Sequence, residues 1–189
     1  MQEQGEQCQS VNDVIVCDSK GAIHEQRSDL NPYKQSLLAF TNRNNRSGSL
    51  HDVVVGADVI IGVSVGNILS AEHIKSMAAN SIILAMANPT PEIMPEIALN
   101  AGAAVVGTGR SDFPNQVNNV LAFPGIFKGA LMAEAPVINE AMKIAAANAL
   151  AATVSEPRRE KILPSPLDQS VAPRIAKEVA KAYWKNLSS

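Results

Sequence analysis

Residues 57–69, ADVIIGVSVGNIL, and the similar run 81–93, SIILAMANPTPEI, decide how this chain folds. Each contains an apolar stretch rich in Val and Ile, Asp58 to Val63 in the first and Ser81 to Met86 in the second. Neither alternates apolar with polar residues, as a strand with one wet face would. An unbroken apolar run of this length therefore predicts a strand covered on both faces, as strands are in a parallel sheet.

Two more runs of this kind, Asp13 to Cys17 and Ala103 to Gly107, are expected to be strands of the same sheet. Between the four runs the sequence reads as helix: Pro32 to Thr41, Ser49 to Val55, Ser70 to Ala79, and Pro95 to Ala101 ending at Gly102. Ser70 is expected to cap its helix, but with His73 where Glu would stand no capping box is expected. Alternating strand and helix predict an α/β fold built on a doubly wound parallel sheet. Past Gly107 the pattern changes. Ala133 to Ala152 holds nine alanines and reads as one long helix. Glu156 to Pro173, with four prolines, reads as an extended connection, and Ile175, Val179, Ala182 and Tyr183 set a helical period over Arg174 to Asn186.

Composition narrows the function. A chain of 189 residues suggests one domain, or one domain and a tail. It is 46% apolar and 18% charged, a balance that supports a buried core. Sixteen Lys and Arg against 18 Asp and Glu give a formal charge of −2, which supplies no basic field for a phosphate backbone, so nucleic acid is not the expected partner. The apolar stretches are far shorter than the ~20 residues of a membrane-spanning helix. The first ten residues, MQEQGEQCQS, lack the apolar middle of a signal peptide, and a cytoplasmic protein is expected. Cys8 and Cys17 form no CxxC pair and are expected to be reduced.

Several polar residues stand where open α/β sheets bind ligands, in loops at the carboxyl ends of strands. Asp18 follows the first expected strand, where an acidic residue accepts hydrogen bonds from an adenosine ribose; Asp equally favours a turn before Gly21. Lys20 beside it suits a 2′-phosphate or plain solvation. In GVSVGN, 62–67, small residues allow close approach to the backbone, making Ser64 and Asn67 candidate cofactor contacts. Asn88 precedes Pro89, which restricts its backbone and aims its amide, although Asn-Pro also serves as a rigid turn. The segment 107–126, GTGRSDFPNQVNNVLAFPGI, is densest in polar residues and glycine, and the Asn118–Asn119 pair offers amide donors for a small carboxylate. Arg110 suits an anion or solvent. His24, His51, His73 and Asp112 show no metal-ligand spacing, and Tyr33 and Tyr183 have no catalytic neighbour in the sequence.

In order along the chain, VIVCDSKGAI, ADVIIGVSVGNIL, MANPTPEI, GTGRSDFPNQVNNVLAFPGIFKGAL and ILPSPLDQSVAPRIAKEVAKAYW resemble the carboxyl-terminal half of bacterial-type malic enzymes, from Val11 to Trp184. The resemblance implies a Rossmann-like nucleotide-binding domain and oxidative decarboxylation of malate to pyruvate and carbon dioxide. NAD or NADP would be the hydride acceptor, and Mg²⁺ or Mn²⁺ the Lewis acid. It places Asp18 near the adenosine ribose, Ser64 and Asn88 at the cofactor, and Asn118 and Asn119 at the substrate carboxylate. It also implies self-association.

The family's tyrosine acid, lysine base, substrate arginine and acidic metal ligands precede this region, so no catalytic or metal-ligating residue is expected in the chain. The glycine-rich GxGxxG loop belongs just upstream of the first run, where the chain reads QEQGEQCQS. In the dinucleotide strand order 3-2-1-4-5-6, the strand before that loop lies at the centre of the sheet. The expected organisation is thus a polar segment 1–10, a partial NAD(P)-binding domain 11–152 whose sheet is incomplete on its amino-terminal side, and a connection with a carboxyl-terminal helix over 153–189. The chain is expected to be a fragment, inactive alone and associating with copies of itself or with the missing amino-terminal half. The alternative is a non-catalytic nucleotide-binding or oligomerisation module.

Overall fold

A computed structural model describes residues 11–187. Cys8 and the expected polar segment 1–10 lie outside the described residues. The chain enters through a short antiparallel hairpin, β1 (Cys17–Asp18) and β2 (Gly21–Ala22), and then forms α1 (Pro32–Leu37) and α2 (Leu50–Val54). Three parallel strands follow, β3 (Val59–Gly62), β4 (Ile82–Ala85) and β5 (Val105–Thr108), in the order β3-β4-β5. They are linked by α3 (Ala71–Ser76) and α4 (Pro95–Asn100). Beyond the sheet come α5 (Phe123–Met132), α6 (Glu140–Ala151) and α7 (Val171–Leu187). The chain is α/β and Rossmann-like, with a parallel sheet of three strands where the sequence predicts four.

The strand that differs is the first. Asp13 to Cys17 does not join the parallel sheet; only Cys17 and Asp18 pair, antiparallel to Gly21–Ala22. In the strand order expected, this run's neighbour is the central strand that should come before it. Here its backbone is satisfied locally: Asn42 N–H donates to the Val14 carbonyl and Ile23 N–H to the Val16 carbonyl, both at 2.8 Å. Gly21 makes the hairpin fit. It has φ +103°, and a Cβ there would lie 2.1 Å from the Gly48 carbonyl oxygen, which accepts from Ala22 N–H at 2.9 Å.

Local chemistry sets the helix ends. Asn31 caps α1 by accepting from Lys34 N–H, and Pro32 fills the first helical position. This helix ends at Leu37, short of the expected Thr41, and Thr41 turns its hydroxyl back to the Leu37 carbonyl. Ser49 and Asp52 form a capping box on α2. The expectation that α3 lacks one is corrected: His73 takes the glutamate's place, its Nδ1 accepting from Ser70 N–H at 3.1 Å. An unprotonated imidazole nitrogen is an acceptor as serviceable as a carboxylate here.

The sheet's core joins Ile83 and Ala85 of β4 and Val106 of β5 to Val54, Ile74, Met77, Ile93 and Ala98 around them. Ile83 is wholly buried, worth about 1.5–3 kcal/mol relative to exposure. β4, flanked on both sides, contributes the deepest residues. β3 lies at the end of the sheet, and its Val59 and Ile61 are 46% and 48% exposed.

A second core gathers Ala130, Met142, Ala146, Ala149, Val171, Ile175 and Val179 from the last three helices. The single helix expected over Ala133 to Ala152 is corrected to α6 alone, with a turn before it. Pro136 has no N–H for a helical ladder, and Asn139 then caps the new helix by accepting from Met142 N–H at 3.0 Å. α7 begins at Val171, three residues before the expected start, because Pro173 falls in its first turn where a missing N–H costs nothing. Helices α5 and α7 touch closely: a Cβ at Gly125 would lie 2.6 Å from Ile175 Cβ, and one at Gly129 2.6 Å from the Ala176 carbonyl oxygen.

Candidate nucleotide and substrate site

In the register of the parallel sheet, Gly62 faces Ala85 and Ala85 faces Thr108, so the three following loops leave from one edge. These are the loops that carry Ser64 and Asn67, Asn88, and Asn118 and Asn119. Open α/β sheets bind ligands in this position.

The first two loops are joined by Glu92, which has no exposed surface. Its Oε1 accepts from Ser64 N–H at 2.9 Å and its Oε2 from Ala87 N–H at 3.0 Å. Backbone bonds reinforce the junction, Asn67 N–H to the Pro91 carbonyl at 3.0 Å and Leu69 N–H to the Glu92 carbonyl at 2.9 Å. Gly62 leaves room for the carboxylate, since a Cβ there would stand 2.4 Å from Glu92 Cδ. Ser64, Asn67 and Asn88 are exposed above this junction, and the Asn88–Pro89 peptide is cis.

The third loop is held from below by Asn115, to which the sequence alone assigns no role. Its side chain is buried, with the amide donating to the Val106 carbonyl at 3.1 Å and the Arg159 carbonyl at 2.8 Å. Its Oδ1 accepts from Ile162 N–H at 2.8 Å. The 156–173 connection is thereby fastened to the end of β5. Arg110 is engaged by Asp112 through two bonds of 2.9 and 2.6 Å and lies over the Phe113 ring. Asn118 accepts from Val120 N–H at 3.0 Å, capping the short 3-10 helix Asn119–Leu121 ahead of α5, and both asparagines are exposed.

Asp18 lies in the β1–β2 hairpin. Arg27 binds its two oxygens at 2.8 and 3.0 Å, Lys34 reaches Oδ2 at 2.5 Å, and Lys20 N–H donates to Oδ1 at 2.9 Å. The Arg27 guanidinium, with Lys34 and the Lys20 amide, holds this carboxyl well below the usual carboxylate range. Asp18 is thus ionised and already well supplied with donors. A ribose hydroxyl at Asp18 would share or displace one of them. Lys20 itself pairs with Asp29 at 2.7 Å.

The exposed small-residue loops above β3 and β4 fit one part of a dinucleotide. Among the described residues, no three His, Cys, Asp or Glu side chains gather where they could hold a metal ion. None of the described helices is long and apolar enough to cross a membrane.

A signal for Glu92 was present in the sequence, as a carboxylate inside the otherwise apolar and Pro-rich PTPEIMP, 89–95. Asn115 had none that separates it from the other asparagines of its loop.

The protein family described as malic enzyme, NAD binding domain, matches residues 1–184. The chain is 59% identical over 175 residues to the bifunctional malic/malolactic enzyme of Bacillus subtilis (strain 168), covering 91% of this chain and 43% of that protein. It is 49% identical over 177 residues to the NAD-dependent malic enzyme of Geobacillus stearothermophilus, covering 93% of this chain and 37% of that one. The NADP-dependent malic enzyme of Rhizobium meliloti (strain 1021) is 46% identical, with 89% of this chain and 24% of the relative covered. Among solved structures, the NAD-dependent malic enzyme from Thermotoga maritima superposes with a TM-score of 0.86 at 44% identity, over 90% of this chain and 45% of that one. The chain thus spans less than half the length of each of these proteins.

Proposed function

Because the chain belongs to the malic enzyme NAD-binding domain family, we propose that it is the cofactor-holding part of an enzyme that oxidises and decarboxylates malate to pyruvate and carbon dioxide, reducing NAD or NADP. The observation that carries this reading is the common edge of β3, β4 and β5, where the loops bearing Ser64, Asn88 and the Asn118–Asn119 pair leave side by side. The cofactor supplies the hydride acceptor. Ser64 and Asn88 orient it, Asn118 and Asn119 offer amide N–H groups to the substrate carboxylate, and Asp18 takes the adenosine ribose in exchange for one of its present donors. Mg²⁺ or Mn²⁺ belongs to the complete enzyme with ligands from outside this chain.

In this reading the chain works with a further polypeptide bearing the proton-transfer groups, and self-associates as part of that assembly. The exposed side of β3 supports it: a parallel strand laid there would pair the sheet's free backbone groups and cover Val59 and Ile61. The compartment proposed is the cytoplasm, where a free thiol such as Cys17 stays reduced.

The test is malate-dependent formation of NADH or NADPH with Mn²⁺, by the chain alone and by the chain mixed with the amino-terminal part of a malic enzyme relative. Turnover in the mixture and none from either component is the expected result. Turnover by this chain alone, or a mixture that forms a stable complex but stays silent, refutes the proposal.

A further inference from the structure

Glu92 is the most deeply buried ionisable side chain among the described residues, and the roles above do not use it. Its two oxygens are divided between two loops, one taking Ser64 N–H after β3 and the other Ala87 N–H after β4. We infer that Glu92 is a positioning residue for nucleotide binding: a carboxylate clasp that sets the spacing and aim of Ser64 and Asn88 toward the cofactor. This rests on the cofactor reading of those two residues.

The geometry calls for a carboxylate in particular. Backbone N–H groups from two loops meet the two different terminal atoms of one side chain, and a carboxylate puts an acceptor at both positions. A glutamine of the same size offers one acceptor, and its NH₂ would face the second N–H, donor against donor. Gly62 belongs to the same device, because any side chain there would occupy the carboxylate's place. A residue present only to fill the core would be apolar, since a buried carboxylate is costly unless its oxygens are bonded. Ser64 is the residue after the next one from Gly62, and Asn88 directly follows Ala87, so a shift of either bonded amide moves the candidate cofactor contact with it.

The test compares Glu92→Gln and Gly62→Ala with unsubstituted chain and with the exposed control Glu96→Gln. Amide hydrogen exchange on the full chain reads the clasp, and nucleotide KM in the mixture with the amino-terminal part reads its consequence. Both variants are expected to speed exchange at Ser64 or Ala87 and to raise nucleotide KM about tenfold, equivalent to ~1.4 kcal/mol, while the KM for malate holds within about twofold. Glu96→Gln is expected to change neither. Gly62→Ala keeps the carboxylate, so it serves if Glu92→Gln does not fold. Unchanged exchange at both amides overturns the clasp. Faster exchange with unchanged nucleotide KM, or an equal rise in both KM values, reduces Glu92 to a structural role and overturns the proposal. If the unsubstituted mixture forms no NAD(P)H, the cofactor reading falls and takes the positioning role with it, while the exchange data show that the clasp itself was not at fault.

Discussion

Replacing Gly129 with alanine tests the close contact between α5 and α7. Gly129 lies inside α5, where alanine alone would favour the helix by about 0.8–1 kcal/mol. The added Cβ, however, would meet the Ala176 carbonyl oxygen at 2.6 Å, Val179 Cβ at 2.7 Å and Val179 Cγ1 at 2.8 Å. Ordinary contact begins near 3.4 Å, so α5 and α7 must separate by about 0.8 Å against a backbone atom that cannot rotate away. Val179 is wholly buried and has little room to move. Overpacking of this kind costs roughly 1–3 kcal/mol, and in a tight backbone contact the upper part of that range applies. Subtracting the helix gain leaves a net loss of about 1–2 kcal/mol. At the ~2–4 °C per kcal/mol expected for a chain of this size, Tm should fall by roughly 2–8 °C. Urea unfolding of the two proteins, with the midpoint lowered and the slope unchanged, is the direct assay. An alanine variant as stable as the parent, or more stable, would show that the two helices do not pack at this distance and would refute the argument.

Asn115→Ala removes three hydrogen bonds from a buried site and leaves Ile162 N–H and the Val106 and Arg159 carbonyls to find other partners. Its φ of +56° also disfavours alanine. A loss of about 2–4 kcal/mol is expected, with faster tryptic cleavage after Arg158, Arg159 and Lys161; equal resistance to trypsin would count against the fastening. His73 accepts through Nδ1 and must be unprotonated there to do so. Burial, with His51 edge-on at 5.1 Å, lowers its pKa below the ordinary 6.5, and the nearby Glu72 only partly opposes this. The folded state therefore binds the proton less readily than the unfolded chain. The cap's contribution is full above pH 6.5 and is lost as pH falls through the lower folded value. Unfolding measured between pH 7.5 and 5 should show a decline that His73→Ala flattens, and parallel profiles would rule the linkage out.

The three strands of the sheet were legible because Val59–Gly62 and Ile82–Ala85 sit within apolar runs without alternation and Val105–Thr108 overlaps another; the burial on both faces expected from that pattern does not hold for β3, whose Val59 and Ile61 lie half exposed at the end of the sheet. The same rule misread Asp13 to Cys17. Apolar patterning reports what a segment would bury, whereas joining a sheet also needs a neighbour whose backbone groups are free. α5 escaped notice because Pro124, Gly125 and Gly129 resemble loop chemistry in sequence. Pro124 sits in the first turn of this helix, and the glycines serve close packing against residues some 50 positions away. The alanines around Pro136 disguised the turn before α6. At the site, the exposed candidates could be picked out by residue type and position in loops, but the buried polar residues that fix those loops could not. Glu92 and Asn115 owe their importance to which backbone groups converge on them, and convergence is a property of the folded chain.

Asn115 also imposes an order of events. Its partners Arg159 and Ile162 lie 44 and 47 residues further along, so while the chain is being synthesised the amide waits, hydrated, until that stretch has emerged. The end of β5 can be sealed only then, and α7, which follows directly, completes the second core afterwards. Ribosomal synthesis at roughly 5–20 residues per second makes this interval a matter of seconds. During it the apolar inner faces of α5 and α6 lack the cover that α7 later gives them, the kind of exposed surface through which partly folded chains aggregate.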